Sequence, residues 1–399
     1  MPKALLLENI HPDAAKSLRD HGFEVETMKG ALSEDELIDA LDGVDLVGVR
    51  SKTNVTARVL DARPTLSAIG CFCIGTNQVD LAHAGKRGIA VFNAPYSNTR
   101  SVVELVICDI ICLMRRIPAH THHIKHGLWD KSASGSHEVR GKTLGIIGYG
   151  NIGSQLSVVA EALGMRVLFY DIEEKLAMGN AHRCDTLNEL LEQSDVVTLH
   201  VDGRKSNTGF FGEDQFEHMK QDAIFINLSR GFVADLDALK KHLDSGHLSG
   251  AAVDVFPIEP KKTGDEFLTD LADEDNMILT PHIGGSTLEA QKSIGQFVSQ
   301  RLEDYWFKGS TMLSVNLPQI TLSDIKSNFR IAHLHANLPG VLARVNRVLG
   351  EDGINIAAQA LGTEGEIGYV VTDVAQRPDQ RALDQLASIE GTIRMRVIS

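Results

Sequence analysis

Through the first part of the chain, short β-branched or Leu-rich runs (Ala4 to Leu7, Leu46 to Val49, Leu66 to Cys71, Ile89 to Asn93) alternate with polar, helix-compatible stretches at His11 to Asp20 and Ser33 to Leu41. Such alternation predicts a parallel α/β sheet, because each parallel strand needs a crossover before the next. A second and more regular series opens near Thr143, with apolar runs at Leu144 to Gly148, Val167 to Tyr170, Val196 to His200, Ala223 to Asn227, Ala251 to Val255 and Met277 to Leu279. Their spacing of about 25 residues is that of βαβ units. A helical stretch after Gln291 runs to Phe307, and Gly309 to Asp324 is a Ser/Thr/Pro/Asn-containing connection. The last stretch reads strand (Arg330 to His335), helix (Gly340 to Gly350), strand (Ile354 to Ala360), strand (Glu366 to Asp373), helix (Pro378 to Ala387), strand (Thr392 to Val397). That β-α-β-β-α-β order is ferredoxin-like. The pattern predicts an α/β protein: two Rossmann-like doubly wound domains, then a smaller C-terminal ferredoxin-like domain.

Composition narrows the partners. The 399 residues are 43% hydrophobic, which at roughly 150 residues per domain allows two or three units with cores of their own. Lys and Arg number 39 against 53 Asp and Glu, a net charge of −14 without any basic run. Phosphate backbones and anionic membranes are held by clustered positive charge, so a small molecule is expected as partner, with no nucleic acid and no membrane. From Asn328 to Ser399 there are seven Arg, no Lys and eight acids, which leaves nearly all the net negative charge in the first two domains. Only four apolar residues in a row precede Glu8, too few for a signal h-region, and no run approaches the roughly 20 apolar residues of a membrane span. Cys71, Cys73, Cys108, Cys112 and Cys184 are odd in number, and a chain this large needs no disulfide. A reduced, cytoplasmic protein is expected.

The second series carries the first chemical motif. In Thr143-Leu-Gly-Ile-Ile-Gly148-Tyr-Gly150-Asn-Ile-Gly153 a G-x-G-x-x-G follows an apolar strand and precedes a helix-compatible stretch from Ser154 to Leu163. Gly148 permits the tight turn, Gly150 lets the backbone approach a pyrophosphate, and Gly153 lets helix pack on strand. The next strand ends in Asp171, where a carboxylate can accept from ribose hydroxyls and would repel a 2′-phosphate. Ile172-Glu173-Glu174 offers no cation for such a phosphate. The expected cofactor is NAD rather than NADP.

Three segments near the C-terminal ends of later strands supply polar groups at the edge where open α/β sheets bind ligands: Asn227 to Gly231, Ala252 to Pro260 and Thr280 to Gly285. Hydride transfer needs a group that takes or gives the hydroxyl proton, and a histidine is suited to it. A neighbouring carboxylate would fix its tautomer and raise its pKa. His282 with Glu259 meets that need, and the planar guanidinium of Arg230 can hold the carboxylate of a 2-hydroxy acid.

Together with Arg50-Ser-Lys-Thr53, Gly70 to Asp80, Phe92 to Leu105, Leu144 to Gly153 and Pro281 to Thr287, these segments resemble the D-isomer-specific 2-hydroxyacid dehydrogenase family. The resemblance implies Arg230, Glu259 and His282 as catalytic residues. It implies NAD contacts from Gly148, Gly150, Asn151, Ile152, Gly153, Asp171, Leu228, Ser229, Arg230, Asp254, His282, Ile283, Gly284 and Gly285, with Asp254 beside the nicotinamide carboxamide. It further implies a discontinuous substrate domain (1–97 and 284–312), a NAD domain (98–283), a linker (313–327) and a regulatory domain (328–399). The implied reaction is NAD-dependent oxidation of 3-phospho-D-glycerate to 3-phosphooxypyruvate, the entry to L-serine biosynthesis. Two alternatives remain open: reduction of another 2-oxo acid such as 2-oxoglutarate, and a NAD-sensing, corepressor-like binding protein.

A phosphorylated substrate calls for cations. Arg50 and Lys52 stand at i and i+2 after an apolar strand, so they can point the same way, and Lys131 follows Trp129 in what reads as a helical segment. Substrate contacts are expected from Arg50, Ser51, Lys52, Ile74, Gly75, Asn98 and Lys131, with the Ile74-Gly75-Thr76 amides as carboxylate donors. Cys71 and Cys73 read as buried, inert thiols on one strand face, and no second cysteine pair completes a zinc site. The run His120-Thr-His122-His123-Ile-Lys-His126 reads as an exposed helix face without a neighbouring acid, and no metal is expected. His333 to Leu342 and Gly353 to Ala358 resemble an ACT domain, an amino-acid-sensing module. That resemblance implies L-serine as an effector bound between two such modules by His335, Asn337 and Asn355, and a homotetramer.

Overall fold

The computed structural model describes residues 1–260, 264–322 and 329–398. By internal contacts the chain divides into two compact units, Met1–Ser97 with Gln291–Ser399, and Asn98–Ala290. The C-terminal module is thus grouped with the first part of the chain. The expected linker can be followed only to Leu322; its remainder, and Asn328 at the start of the expected regulatory domain, lie outside the described residues.

In the first unit, strands β1 (Lys3–Leu6), β2 (Glu24–Thr27), β3 (Leu46–Val49), β4 (Ala68–Cys71) and β5 (Ala90–Phe92) form one sheet in the order β2-β1-β3-β4-β5. Every pairing is parallel, with Ala4 opposite both Val25 and Leu46. β3 and β4 are buried throughout and read as continuous apolar runs, as expected when helices cover both faces of a parallel sheet. β2 is the edge strand, and its sequence Glu-Val-Glu-Thr carries no apolar run to announce it. The helix Leu288–Lys308 buries Ile294, Val298, Leu302 and Tyr305 in this core at helical spacing.

The C-terminal strands β13 (Phe329–Ala336), β14 (Ile356–Glu364), β15 (Ile367–Val374) and β16 (Thr392–Ile398) form an antiparallel sheet in the order β14-β15-β13-β16. Leu334, Tyr369 and Ile398 of this sheet share one core with Phe92, Tyr305 and Leu317. Its arginines bind backbone carbonyls along that junction. Arg394 donates to Leu66 O (2.6 Å) and Pro64 O (2.5 Å), and Arg396 donates to Tyr305 O (2.9 Å) with its guanidinium 4.3 Å from the Tyr305 ring. Arg330, fully buried, donates from Nε and Nη2 to Asp373 (2.6 and 2.9 Å) and from Nη1 to Lys308 O (2.7 Å). A planar fork of several donors can make such bonds at once and an ammonium cannot, which suits Arg rather than Lys at positions 330, 394 and 396.

The second unit holds β6 (Thr143–Ile147), β7 (Arg166–Tyr170), β8 (His182–Arg183), β9 (Val196–Leu199), β10 (Ala223–Asn227), β11 (Leu248–Val253) and β12 (Met277–Leu279). All run parallel in the order β12-β11-β10-β9-β6-β7-β8, a doubly wound sheet whose order reverses at β6. Ligands of such sheets bind at the carboxyl ends beside that switch point. Gly148, Asp171, Arg230, Asp254 and His282 all follow strand ends on this edge. Among the described residues no helix is long and apolar enough to cross a membrane.

Replacing Asp373 by Ala leaves the Arg330 charge buried without its carboxylate. The expected cost is about 3–5 kcal/mol, read as a lower urea midpoint for the transition that reports this unit. An unchanged midpoint would show that the carbonyls satisfy Arg330 without Asp373.

Candidate active site

Each glycine of the loop after β6 serves a different purpose. Gly148 has φ +90°, and a side chain there would strike the carbonyl of His200. A Cβ at Gly153 would overlap the Gly148 carbonyl, so this position lets the helix Asn151–Ala162 lie against β6. Gly150 faces open space with nothing within 4 Å of a built Cβ, and no side chain caps the helix start, so its first amides stay free to donate. Asp171 Oδ2 accepts the Tyr149 N–H (2.7 Å) and Oδ1 accepts the Glu173 N–H (2.9 Å), which orients the carboxylate beside the glycine loop.

Past β11 and β12, two loops are tied by Asp254, which is 2% exposed. Its carboxylate accepts from Thr280 Oγ1 (2.6 Å) and from the N–H groups of Ile283 and Gly284 (2.8 Å each), while its carbonyl accepts the His282 N–H (2.8 Å). These bonds hold His282 at φ +55°, a left-handed conformation that costs a residue with a Cβ roughly 1–2 kcal/mol. His282 thereby sets Nδ1 at 3.0 and 2.9 Å from the two oxygens of Glu259. Glu259 Oε1 also accepts the Phe256 N–H at 3.2 Å.

The hydrogen bond and charge of Glu259 raise the His282 pKa against the opposing effect of burial. For Glu259, burial works to raise the pKa, but the His282 hydrogen bond and charge, the Phe256 amide and the Arg230 charge hold it below the ordinary value. With Nδ1 facing the carboxylate, Nε2 is the ring nitrogen left to meet a substrate. Arg230 follows β10, its Nη1 donating to Ser229 O (2.7 Å), and its charge reaches both His282 and Glu259. Gly231 lets this loop approach the 254–259 loop, since a Cβ there would overlap the backbone of Phe256. Asp109, 4% exposed on the helix Thr99–Met114, is pushed up to about 7 by burial and the Asp254 charge.

In the first unit, Glu8 organises the loop after β3. Buried at 7% exposure and φ +58°, it accepts the N–H groups of Arg50 (3.1 Å), Lys52 (3.0 Å) and Thr53 (2.9 Å). These residues bend around the carboxylate, so the strand alternation expected to align Arg50 with Lys52 does not apply. Among the described residues, neither side chain has an acidic partner. Beyond β4, Asn93 donates to Ile74 O (2.6 Å), Gln78 donates to Arg50 O (2.6 Å), and a Cβ on Gly75 would meet nothing within 4 Å.

A donor-lined glycine loop, a histidine–glutamate pair and a nearby arginine at one sheet edge are the parts of a nicotinamide-dependent alcohol dehydrogenase, and comparison with known proteins gives the same direction. Residues 107–284 match the D-isomer specific 2-hydroxyacid dehydrogenase NAD binding domain, and residues 331–394 match the AHAS small subunit-like ACT domain. The chain is 50% identical over 397 residues to the D-3-phosphoglycerate dehydrogenase of Haemophilus influenzae, covering 99% of this chain and 97% of the relative. With the enzyme of the same name from Escherichia coli K12 it shares 49% over 399 residues, again 99% and 97% of the two chains. A D-lactate dehydrogenase of Aquifex aeolicus, solved with NAD and lactic acid, superposes with a TM-score of 0.65 at 28% identity, over 76% of this chain and 95% of that one. The chain belongs to the D-isomer specific 2-hydroxyacid dehydrogenase family.

As a member of this family it is an NAD-dependent dehydrogenase. The residues present fit NAD: the open approach at Gly150, the uncapped helix start and the oriented Asp171 match a pyrophosphate and a ribose diol. Near this end Lys175 is engaged by Glu173 and Arg204 by Asp202, and Arg183 donates to the Asp171 carbonyl (3.3 Å). Asn151 is exposed, Ile152 half-buried, Leu228 and Ser229 buried, and Ile283, Gly284 and Gly285 continue the His282 loop. Asn98 stands at the start of the helix Thr99–Met114 without a side-chain capping bond, its amide packed against Gly285, and its buried Oδ1 has no partner among the described residues.

Three expectations need correcting, those for Lys131, Cys73 and the histidine run. Lys131 is not in a helix: the helix Ile117–Lys125 ends before it, and it stands on an exposed loop. Cys73 lies past β4 in a bend, half-buried, whereas Cys71 is buried in the strand. The histidine run does have a neighbouring acid, Asp130, 3.7 Å from His123. In the C-terminal module, His335 is buried with Nδ1 donating to Ala336 O (2.8 Å), and exposed Asn337 donates to Gly365 O (3.1 Å). Asn355 stands at the opposite end of the sheet, where its carbonyl accepts from Ala375 (3.0 Å). One chain does not bring these three residues together. Glu8 and Asp109 escaped the sequence reading because a buried carboxylate that serves amides or a neighbouring charge leaves no spacing signal.

The His282–Glu259 pair has a direct test. In a histidine NMR titration His282 should titrate above the usual value of about 6.5, and Glu259→Gln, which keeps an acceptor but removes the charge, should bring it down. Equal values in the two proteins would remove Glu259 as the cause.

Proposed function

We propose that the chain oxidises 3-phospho-D-glycerate to 3-phosphooxypyruvate with NAD, the first step of L-serine biosynthesis, and that L-serine inhibits it through the C-terminal module. The observation that carries this reading is similarity at 50% identity across 99% of the chain to a D-3-phosphoglycerate dehydrogenase, joined to a histidine–glutamate pair suited to moving a hydroxyl proton. Bound NAD supplies the acceptor for the hydride that leaves C2. His282 Nε2 takes the hydroxyl proton in the same conversion, and Glu259 stabilises the imidazolium that results. Arg230 holds the substrate carboxylate and polarises the forming carbonyl. In the reductive direction the same imidazolium returns the proton.

Arg50, Ser51, Lys52 and Lys131 are assigned to the phosphate, and the Ile74 and Gly75 amides with Asn98 to the carboxylate end. Cations without acidic partners keep their charge for an anionic ligand, which supports the assignment of Arg50 and Lys52. Asp254 serves this site by fixing the His282 loop and is also assigned to the nicotinamide carboxamide. The separation of Asn355 from His335 and Asn337 supports an effector site built by two modules: a two-fold axis through paired edge strands would bring opposite sheet ends together. A tetramer combining that pairing with a dehydrogenase dimer follows from the same reasoning.

The decisive experiment is a panel of 2-oxo acids followed by NADH absorbance. 3-Phosphooxypyruvate is expected to be preferred, and Lys52→Ala should weaken it at least tenfold more than 2-oxoglutarate; preference for 2-oxoglutarate in wild type, or equal losses, would overturn the substrate assignment. Millimolar L-serine should inhibit wild type, and Asn337→Ala should abolish the response without changing turnover in its absence. No response in wild type removes serine as effector, and an unaltered response in Asn337→Ala removes the site.

A further inference from the structure

The helix Ile117–Lys125 and the loop after it carry four histidines, which the fold sorts into two pairs. His122 and His126 stack with centroids 4.1 Å apart, and His126 Nδ1 donates to His122 O (2.9 Å), so this pair closes the helix end. His120 and His123 lie one turn apart and edge to face at 6.5 Å, the distance at which His122 also meets His123, but it is His120 and His123 that Asp130 approaches. After His126 the chain reverses at Gly127, φ +80°: Gly127 N–H donates to Ile124 O (3.1 Å) and Leu128 N–H to His123 O (2.9 Å). This Schellman closure returns the chain past His123. Asp130 then comes to lie beside the pair, its Oδ2 3.7 Å from His123 Nδ1 and its Oδ1 accepting the Ser132 N–H at 2.9 Å.

We propose that His120, His123 and Asp130 bind a divalent first-row metal ion of the zinc type. One ligand atom from each of the three lies within 4.8 Å of the others. Nδ1 of His120 and Nδ1 of His123 are both buried and have no hydrogen-bond partner among the described residues. Buried polar atoms are rarely left so, and an ion is one of the few things that explains two of them in neighbouring rings. The 3.7 Å gap between His123 and Asp130 is too long for a hydrogen bond. A tetrahedral ion with bonds of about 2.0–2.2 Å would hold its ligands roughly 3.5 Å apart, a closure that the exposed Asp130 can make by rotation. Two imidazoles and a carboxylate favour zinc, cobalt or nickel over calcium or magnesium, which take oxygen. The Ser132 amide aims the carboxylate, as outer partners do in metal sites. Three protein ligands leave the fourth position to water. The site uses none of the residues assigned to NAD or substrate, so it stands independently of the proposed function.

The test uses full-length protein without a histidine tag, stripped with chelator and titrated with ZnCl2 by calorimetry, with CoCl2 as the spectroscopic probe. One ion per chain is expected, with the intense visible bands of four-coordinate cobalt and a rise in Tm on adding zinc. His120→Ala, His123→Ala and Asp130→Asn should each weaken binding at least tenfold and abolish the Tm rise, while His122→Ala and His126→Ala should leave both unchanged. Asp130→Asn, on an exposed loop, keeps the test valid if a histidine variant folds poorly. Absence of saturable binding in wild type, binding unchanged in Asp130→Asn, or loss confined to the His122 and His126 variants would overturn the proposal.

Discussion

The chemistry of this chain hangs on a carboxylate that need not itself take part in it. Asp254 is buried beyond reach of bulk water, yet it receives a hydroxyl and two amides from the loop after β12, while its carbonyl takes a third amide. Wrapping successive N–H groups around one acid forces the residue between them into a left-handed turn, and that residue is His282. A histidine on an ordinary loop would have the same pKa rules but many orientations. Here the ring has one, with Nδ1 against both oxygens of Glu259. The strain in the backbone is therefore the counterpart of preorganisation at the ring. Charge on Asp254 also has a cost behind the loop, where burial and that charge together hold the Asp109 carboxyl near neutrality of its own.

The first unit repeats the device. Glu8 turns three amides inward and bends the chain so that Arg50 and Lys52 are presented from a fixed loop. In both units an internal acid shapes a loop by taking up its backbone amides. This resolves the tension in a protein of net charge −14 that must attract a negatively charged cofactor and substrate. The buried acids spend their charge on amides, and the cations of the loop after β3 keep theirs.

Much of the scaffold was legible because parallel strands buried on both faces must be apolar throughout. β3, β9 and β10 fall where their runs place them. β2 and β8 were invisible for the complementary reason, since edge strands with one neighbour need no apolar run. The glycine loop could be read in full because each of its glycines answers a separate steric demand, two from the backbone and one from open space. Loops were harder. The bend at 50–53, the loop position of Lys131 and the approach of Asp130 to His123 all depend on hydrogen bonds between residues that periodicity does not connect. Asn355 could not be placed beside Asn337 by any reading of one chain, because strand order sends them to opposite ends of the sheet.

The junction of the C-terminal module with the first unit bears on how such a chain can be cut or fused. Leu334, Tyr369 and Ile398 close over Phe92, Tyr305 and Leu317, and three arginines occupy carbonyls from Pro64, Leu66, Tyr305 and Lys308. A truncation ahead of β13 would uncover a continuous apolar face and strand those carbonyls on a surface never shaped for water. The module is thus a lid of the core as much as an appended domain, and grafting it onto another enzyme would require carrying its seat along with it.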